Sequence, residues 1–199
     1  MGEVGTKGVA RAERRQQLVD EAVEEFGRRG YARASLADIA RRAGVSKAMI
    51  HHVFTSKEGL GAACLEEVGP GLVAAIAAAQ TADDPGQRAQ DTITAIFAAM
   101  AEHRHAWAVI HDDTLPPGSA ALGLAAGFRS QLHAMGTIGT REVLSAAGVD
   151  DPVDHDLLDR LWEAIVAAAV QWWQEHDEMS AADMAERFTR LLAVITARR

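Results

Sequence analysis

A four-residue junction, Ala43-Gly44-Val45-Ser46, constrains the fold of this chain more than any other feature of its sequence. It lies between two short segments that each follow a serine, Ser35 or Ser46, and that repeat apolar residues at intervals of three or four. Serine is a favoured helix N-cap because its hydroxyl accepts an amide hydrogen bond, and glycine adopts the left-handed backbone that a tight turn needs. The pattern predicts two short helices joined at a sharp angle, with Val45 filling the small core between them. Such a pair is a helix-turn-helix.

A longer helix is predicted before this pair, over about residues 10–29, with Leu18 and Phe26 on its apolar face and Gly30 as its left-handed stop. The second short helix is expected to run from about Lys47 to Phe54. Together the three segments predict a compact three-helix domain at the N-terminus.

The remainder of the chain also has a helical pattern. It contains no Asn-Gly or Asp-Gly hairpin turn, and its apolar residues recur at intervals of three and four. N-cap residues followed by proline (Asp84-Pro85 and Asp151-Pro152) or by an acidic residue three positions on (Ser180 with Asp183) mark helix starts. The further helices are expected over about residues 56–80, 85–102, 104–112, 119–147, 152–178 and 180–197. The sequence therefore predicts an all-α protein of about nine helices.

Charge is divided unevenly along the chain, which carries a net charge of −8. Residues 1–60 hold 11 Lys and Arg against 8 Asp and Glu, whereas residues 61–199 hold 9 against 20. Within residues 28–57, seven cations face one acid, Asp38. A basic region on an otherwise acidic protein favours a polyanionic partner at that end, and nucleic acid is such a partner.

Cysteine content and hydropathy bear on the compartment. Cys64 is the single cysteine, so neither a disulfide framework nor a thiolate zinc site is expected. The N-terminus lacks an apolar signal region, and no unbroken apolar run approaches the roughly 18 residues of a membrane span. These observations predict a cytoplasmic protein with no membrane partner.

The segment Ser35–Leu60 resembles, almost position by position, the DNA-binding signature of the tetracycline-repressor (TetR) family of transcriptional regulators. The preceding residues 26–31 extend the resemblance to about a quarter to a third of the chain. The sequence departs from the family at His51, where tyrosine is common, and at Val53, where another aromatic residue is common. The resemblance implies an N-terminal helix-turn-helix domain, residues 1–55, and an effector-binding and dimerisation domain, residues 56–199, with helix 56–80 as a shared connector.

Candidate DNA-binding residues follow from the helix-turn-helix geometry and the resemblance together. Lys57, in the first turn of the fourth helix, is expected to contact a phosphate, as its equivalent does in the family. Lys47 is open between a base contact and a phosphate contact, and Arg41 between a phosphate contact and a solvated charge. Arg11, Arg14 and Arg15 are candidates for an arm that contacts the minor groove or phosphates. The full candidate set is Ser35, Arg41, Ser46, Lys47, Ala48, Met49, His51, His52 and Lys57.

A second copy of the chain is an expected partner, because one short recognition helix meets only a few base pairs and useful affinity needs two on a palindrome. The last two predicted helices are apolar around much of their girth, and the resemblance implies that they form a four-helix interface between two subunits. Adjacent Trp172 and Trp173 point about 100° apart and cannot share a face. The alternative is that all these residues serve the subunit core. The candidates are Ile165, Trp172, Trp173, Phe188, Leu191 and Leu192.

A small-molecule effector is the third expected partner. Bulky or adaptable apolar residues with a few polar groups are the mixture that lines ligand cavities, although each taken singly is more often a core residue. The candidates for such a pocket are Phe97, Met100, Trp107, His111, Phe128, Met135 and Trp162. An effector that prefers a shape with displaced N-terminal domains would lower DNA affinity and release repression. No cofactor is expected.

Two alternatives belong to other functional classes. One is a small helical enzyme or metal protein that uses His103, His105, His111 and the adjacent acids, although two histidines at that spacing on one helix lie about 200° apart. The sequence holds no HExxH, GxSxG or glycine-rich phosphate loop, so no catalytic residue is assigned and no metal site is expected. The other is a helix-turn-helix module that binds protein instead of DNA.

Overall fold

A computed structural model of the chain describes residues 4–196, and the side chains of residues 11–194. Over that range the chain forms nine α-helices and no strand, which confirms the predicted all-α fold. The helices are α1 (Val4–Arg33), α2 (Leu36–Arg42), α3 (Lys47–Phe54), α4 (Lys57–Ala79), α5 (Pro85–Ala99), α6 (Ala106–Ile110), α7 (Ala120–Ala146), α8 (Pro152–Gln174) and α9 (Ala181–Thr196). The predicted end of the last helix, near residue 197, lies outside the described residues.

Most helices begin at the predicted caps. The hydroxyl of Ser46 accepts from the amide of Met49 at 3.3 Å, and the carboxylate of Asp84 accepts from Gln87 at 2.7 Å. Asp151 and Ser180 cap α8 and α9 in the same manner. Side-chain caps satisfy amides that the first helical turn leaves without partners.

Two helices end earlier than predicted. Helix α5 ends at Ala99 and α8 at Gln174, three and four residues before the expected ends. Behind α8, the guanidinium of Arg104 donates to the carbonyls of Trp173, His176 and Met179 and lies 4.0 Å from the Trp173 ring centroid. Because the guanidinium donates hydrogen bonds to these three carbonyls, α8 ends at Gln174 without leaving them unpaired.

The chain divides into two compact units. The first consists of Met1–Gly69 with His105–Gly127, and the second of Pro70–Arg104 with Phe128–Arg199. This division follows contacts within the fold, and it groups α6 with the N-terminal helices. The functional division into residues 1–55 and 56–199 stays a prediction.

In the first unit, α1 packs against both α2 and α6. Its apolar face, Leu18, Val19, Ala22, Val23 and Phe26, is buried, together with Ile39 of α2, Ile50 of α3 and Leu60 of α4. Helix α6 approaches α1 so closely that a Cβ atom at Gly27 would collide with the Cβ of His105. The absence of a side chain at Gly27 therefore permits this helix pair.

In the second unit, α5 packs against α9. Phe97 of α5 is buried, with its ring edge-on to Trp173 of α8 at 5.4 Å and tilted against Phe188 of α9 at 6.3 Å. Offset and edge-on ring pairs of this kind add specific geometry to the burial of apolar area. These three rings form the aromatic centre of the unit.

Helix α4 is, among the described residues, the one helix long and apolar enough to cross a membrane. Core helices of soluble proteins meet the same criterion. Glu66 and Glu67 interrupt its apolar sequence and are exposed.

Candidate nucleic-acid interface

Helix α3 presents one buried face and one exposed face. Ile50 and Phe54 are buried in the first unit, whereas the other face carries Lys47, Ala48, Met49, His51 and His52, all exposed. Five of the eight side chains of this helix are thus exposed and accessible to a partner. This is the geometry by which a recognition helix enters a major groove.

The turn that holds α3 has the predicted chemistry. Gly44 has φ of 65°, in the left-handed region, and Val45 is half-buried behind it. Ser35 and Ser46 cap α2 and α3, so their oxygens accept backbone amides from Asp38 and Met49. A hydroxyl that accepts one hydrogen bond can still donate another. Capping is therefore compatible with a phosphate contact by either serine.

A buried acidic residue that the sequence did not predict ties α2 to α1. Glu25 is 2% exposed, and its carboxylate accepts from the Ser35 amide at 3.1 Å and from the Arg42 guanidinium at 2.9 Å. Arg42 also donates to the carboxylate of Glu21 at 2.7 Å. Arg42, although exposed, is thereby paired with two acids of α1, and Glu25 links α1 to the start and the end of α2.

Arg41, by contrast, remains at the surface of α2. Its side chain is 72% exposed and donates to Asp38, three residues earlier, at 3.3 Å. This hydrogen bond lowers the pKa of Asp38. An exposed pair of this kind contributes little to stability, so the guanidinium is able to exchange Asp38 for a phosphate at small cost.

Lys57, whose phosphate contact stays a prediction, is held by groups at the end of α1. Its ammonium donates to the carbonyl of Ala34 at 2.8 Å and of Ala32 at 3.4 Å, and it lies 4.7 Å from the centroid of the Tyr31 ring. Desolvation by burial lowers the pKa of this lysine, which the charges of Asp112 and Glu25 oppose. The side chain thus closes the carbonyl end of α1. This contact supplies a reason for a cation at the start of α4, where it opposes the helix dipole.

His51, which stands where the resembled family commonly has tyrosine, is held by a local contact. Its Nδ1 lies 3.3 Å from the carbonyl oxygen of Thr55, which closes α3. Thr55 itself has φ of 66°, a conformation unfavourable for a β-branched residue. The exposed imidazole remains accessible to DNA, and Val53 is half-buried as a core residue.

The exposed cations of the first unit are partly neutralised by acids on α1. Arg28 pairs with Glu24 and Arg29 with Glu25, each one helical turn apart. Arg11, Arg14 and Arg15 are exposed, and the Arg15 guanidinium lies 5.5 Å from the Phe54 ring centroid at the end of α3. The cations near α3 that face solvent are therefore drawn from α1, α2 and α3 together.

The predicted dimer residues fall into two groups within the second unit. Ile165, Trp172 and Leu191 are exposed and Leu192 is half-buried, as a surface available to a partner requires. Trp173 and Phe188 are 1% and 6% exposed, because they pack on Phe97 in the aromatic centre. These two residues belong to the subunit core, and the prediction is corrected for them. The sequence did not single out further exposed apolar residues on α8 and α9, namely Val153, Leu157 and Val194.

The predicted effector-pocket residues do not all lie together. Phe97 and Met100 are fully buried in the second unit, which also holds half-buried Phe128, Met135 and Trp162. Trp107 and His111 belong to the first unit, where their rings stack at 4.3 Å. One open cavity of about 490 Å³ in the second unit has a charged lining that includes none of these residues. Its lining is Glu178, Met179, Asp183, Glu186, Arg187 and Arg190.

The histidines of the enzyme alternative are likewise dispersed. His105 is buried against α1, with its Nε2 3.5 Å from the carboxylate of Glu24. The Nδ1 of His111 lies 3.0 Å from the carbonyl of Trp107, while His103 belongs to the second unit. In the part of the chain that the structure describes, no three potential metal ligands come together.

The first unit therefore has the architecture of a helix-turn-helix DNA-binding protein. Residues 18–64 match the sequence pattern of the bacterial regulatory proteins of the tetR family. The HTH-type transcriptional regulator BetI of Brucella anthropi is 39% identical over 90 residues, which are 43% of this chain and 45% of BetI. The match thus spans less than half the length of this curated relative.

Solved structures extend the likeness to nearly the whole fold. The ketosteroid transcriptional regulator KstR2 of Mycobacterium tuberculosis superposes with a TM-score of 0.75 at 20% identity, over 94% of this chain and 96% of KstR2. The TetR family regulator PfmR of Thermus thermophilus superposes with a TM-score of 0.70 at 23% identity, over 91% and 99%. The chain thus carries the tetR-family sequence pattern in its first unit and shares its fold with these regulators over nearly its whole length. Its relatives are transcriptional regulators and not enzymes.

Proposed function

We propose that this protein is a cytoplasmic, ligand-responsive transcriptional repressor that binds a palindromic operator as a homodimer. The exposed face of α3 carries this proposal, since Lys47, Ala48, Met49, His51 and His52 are open while their helix is anchored by Ile50 and Phe54. Cationic and hydrogen-bonding groups suit phosphates and base edges, and Ala48 and Met49 suit a thymine methyl group.

The acidic remainder of the protein supports the same orientation. Residues 61–199 hold 20 Asp and Glu against 9 Lys and Arg, so most of the surface repels DNA. Contact is favoured where the cations of α1, α2 and α3 lie. Arg41 and Lys47 are exposed on either side of the turn, while Arg42 pairs with Glu21 and Glu25, and we assign Arg41 and Lys47 to phosphates or base edges in the complex.

Selection of DNA from a random-sequence duplex pool tests the proposal. We expect the purified full chain to enrich a two-fold symmetric sequence, and its affinity for the enriched duplex to fall steeply as salt rises, because bound cations release counterions from the phosphates. A scrambled duplex of the same composition is the control. Failure to enrich any sequence, with binding equally weak to both duplexes, would contradict the proposal and favour a protein-binding module.

Dimer formation is supported by apolar side chains that α8 and α9 leave in water. Leu157, Leu161 and Ile165 are 43–54% exposed at intervals of four residues on α8, and Leu191 of α9 is 60% exposed. Residues at this spacing share one helix face, and a continuous apolar face on a soluble protein marks an interaction surface. A second copy of the chain is the partner that a palindromic operator demands. Sedimentation of the chain at micromolar concentration, expected to give twice the monomer mass, tests it.

An effector completes the proposed function, and its site is assigned to the second unit. Phe128, Met135 and Trp162 are half-buried there, so they are able to cover an apolar ligand without leaving the core. A thermal-shift screen against a chemically diverse library tests this assignment, because a ligand that binds only the native state raises the melting temperature. A compound that raises the melting temperature and lowers affinity for the enriched duplex is the expected result. Hits that leave DNA affinity unchanged would contradict release by an effector.

A further inference from the structure

Helix α1 is interrupted at Gly30, and the interruption frees two backbone amides. Gly30 has φ of 72° and ψ of 154°, which is not helical, although the backbone resumes a helical turn through Arg33. The amides of Tyr31 and Ala32 begin this last turn, so they point away from the helical hydrogen-bond ladder and need acceptors from elsewhere. Tyr31 is buried, and a buried amide without an acceptor is costly. The acceptors come from a distant part of the chain.

Asp112 and Thr114, which follow α6, supply these acceptors. The carboxylate of Asp112 accepts from the Tyr31 amide, and the hydroxyl of Thr114 accepts from the Ala32 amide at 2.9 Å. Asp112 is 8% exposed, and its other oxygen accepts from the amide and hydroxyl of Thr114 at 2.7 and 2.6 Å. We call this pair of residues the 112/114 clamp. It places an N-cap on the last turn of α1 from 81 and 82 residues away.

The clamped turn leads directly into the DNA-binding helices. The Tyr31 ring lies under the ammonium of Lys57, at 4.7 Å, and that ammonium also donates to the carbonyl of Ala34. Ala34 precedes Ser35, the N-cap of α2, and Lys57 is the first residue of α4. The clamp therefore fixes the joint at which α1 ends and both α2 and α4 begin. A helix-turn-helix needs this joint to be rigid, since α2 carries α3.

We propose that Asp112 and Thr114 are positioning residues for operator binding, which hold the start of α2 in its DNA-binding position without touching DNA. This inference rests on the proposed DNA-binding function. Loss of the clamp is expected to lower operator affinity while the contacts between protein and DNA stay the same.

The test uses substitutions with matched controls, measured on the duplex that the wild-type chain enriches. Asp112→Asn removes a charge and replaces one of the two acceptor oxygens with an amide donor, so that a donor faces either the Tyr31 amide or the Thr114 amide, whereas Asp113→Asn removes the same charge from an exposed neighbour. Both changes reduce repulsion from DNA. We expect Asp112→Asn to weaken binding about tenfold nonetheless, and Asp113→Asn to leave it unchanged or slightly tighter. The salt dependence of Asp112→Asn should equal that of wild type, because no phosphate contact is lost.

A second pair of variants keeps the inference testable if Asp112→Asn fails to fold. Thr114→Val removes the hydroxyl at nearly constant shape, and Thr114→Ser retains it. Thr114→Val is expected to weaken binding severalfold and Thr114→Ser to restore the wild-type value. Each dissociation constant is referred to the active fraction, obtained by stoichiometric titration, so that partial unfolding is not read as weak binding.

The outcomes separate this inference from the function on which it rests. If wild type and Asp113→Asn enrich no duplex, the proposed function itself fails. If they bind, while Asp112→Asn and Thr114→Val bind equally well per active molecule, the clamp only stabilises the fold and the inference is wrong. A shallower salt dependence in Asp112→Asn would also overturn it, because it would indicate lost phosphate contacts.

Discussion

The two units of this protein differ in how many large apolar side chains they expose. Among the exposed large apolar side chains of residues 11–194, Met49 lies in the first unit, and the others lie in the second. The first unit joins its helices with two buried carboxylates, Glu25 and Asp112, whereas the buried polar side chains of the second unit, within residues 11–194, are the threonines Thr92 and Thr140. The comparison teaches that the first unit exposes few large apolar side chains, which suits the proposed contact with DNA. The second leaves an apolar face that needs a partner to cover it.

The largest expected effect is the loss of the proposed dimer when the exposed apolar face of α8, which includes Leu161 and Ile165, is disrupted. Ile165→Glu places a charge where a second subunit would cover it, and an unpaired charge in such a surface costs about 3 kcal/mol or more, which is at least a hundredfold in the dimer dissociation constant. Sedimentation at micromolar concentration should then show a monomer. Gln17→Glu adds the same charge to an exposed position of α1 and should leave the dimer intact. A dimer that persists in Ile165→Glu would move the interface to another face.

The next effect concerns the buried carboxylate of the first unit. Glu25→Ala removes the acceptor for the Ser35 amide and the partner of Arg42, and we expect it to lower the free energy of unfolding by about 3 kcal/mol. Glu21→Ala removes the half-exposed partner of the same arginine and should cost less than about 1 kcal/mol. Urea denaturation measures both. Equal losses would show that burial of Glu25 has no special consequence.

A smaller loss is expected where α1 meets α6. Gly27→Ala forces a methyl group against His105, and overpacking of this kind costs roughly 2 kcal/mol. Gly123→Ala in α7 is the matched control, because a Cβ atom there meets nothing within 4 Å. This change should stabilise the protein by up to about 1 kcal/mol, since alanine favours a helix over glycine. Thermal unfolding gives both signs, and a stabilised Gly27→Ala would refute the close approach.

The smallest expected effect is a gain at Thr55. This residue has φ of 66°, a strained conformation that glycine adopts freely. Thr55→Gly should raise the free energy of unfolding by about 1 kcal/mol, whereas Thr81→Gly, at an exposed turn before α5, should not. A loss of stability in Thr55→Gly would mean that the hydroxyl or the methyl group contributes more than the strain costs.

Local chemistry made much of the fold predictable from the sequence. Ser46, Asp84, Asp151 and Ser180 cap helices because each acts on amides two or three residues away, and Gly44 sets its own turn. The resemblance of residues 35–60 to the TetR family was also visible in the sequence, because it too depends on residues that lie close together in the chain. Short-range determinants of this kind are written in adjacent residues.

Long-range partners were not predictable in this way. From the sequence alone, Glu25 resembles an ordinary surface acid of a helix, and Asp112 resembles an ordinary loop acid. The structure shows that Glu25 accepts from the amide of Ser35 and that Asp112 caps the last turn of α1. Helical periodicity showed that Trp172 and Trp173 face different directions, but it could not tell which one faces the core. That choice depends on the position of Phe97, more than 70 residues away. The hydrogen bonds of Lys57 likewise could not be predicted, because they depend on where α1 ends.

The central claim is that the exposed face of α3 reads DNA, and sequence selection with α3 variants tests it most directly. Met49→Ala and Lys47→Ala should change the enriched sequence at defined positions of both half-sites, with a discrimination of about 1–3 kcal/mol lost where a base contact is removed. Gln17→Ala, at an exposed position of α1, should enrich the wild-type sequence. Enrichment of an unchanged palindrome by both α3 variants would contradict the claim.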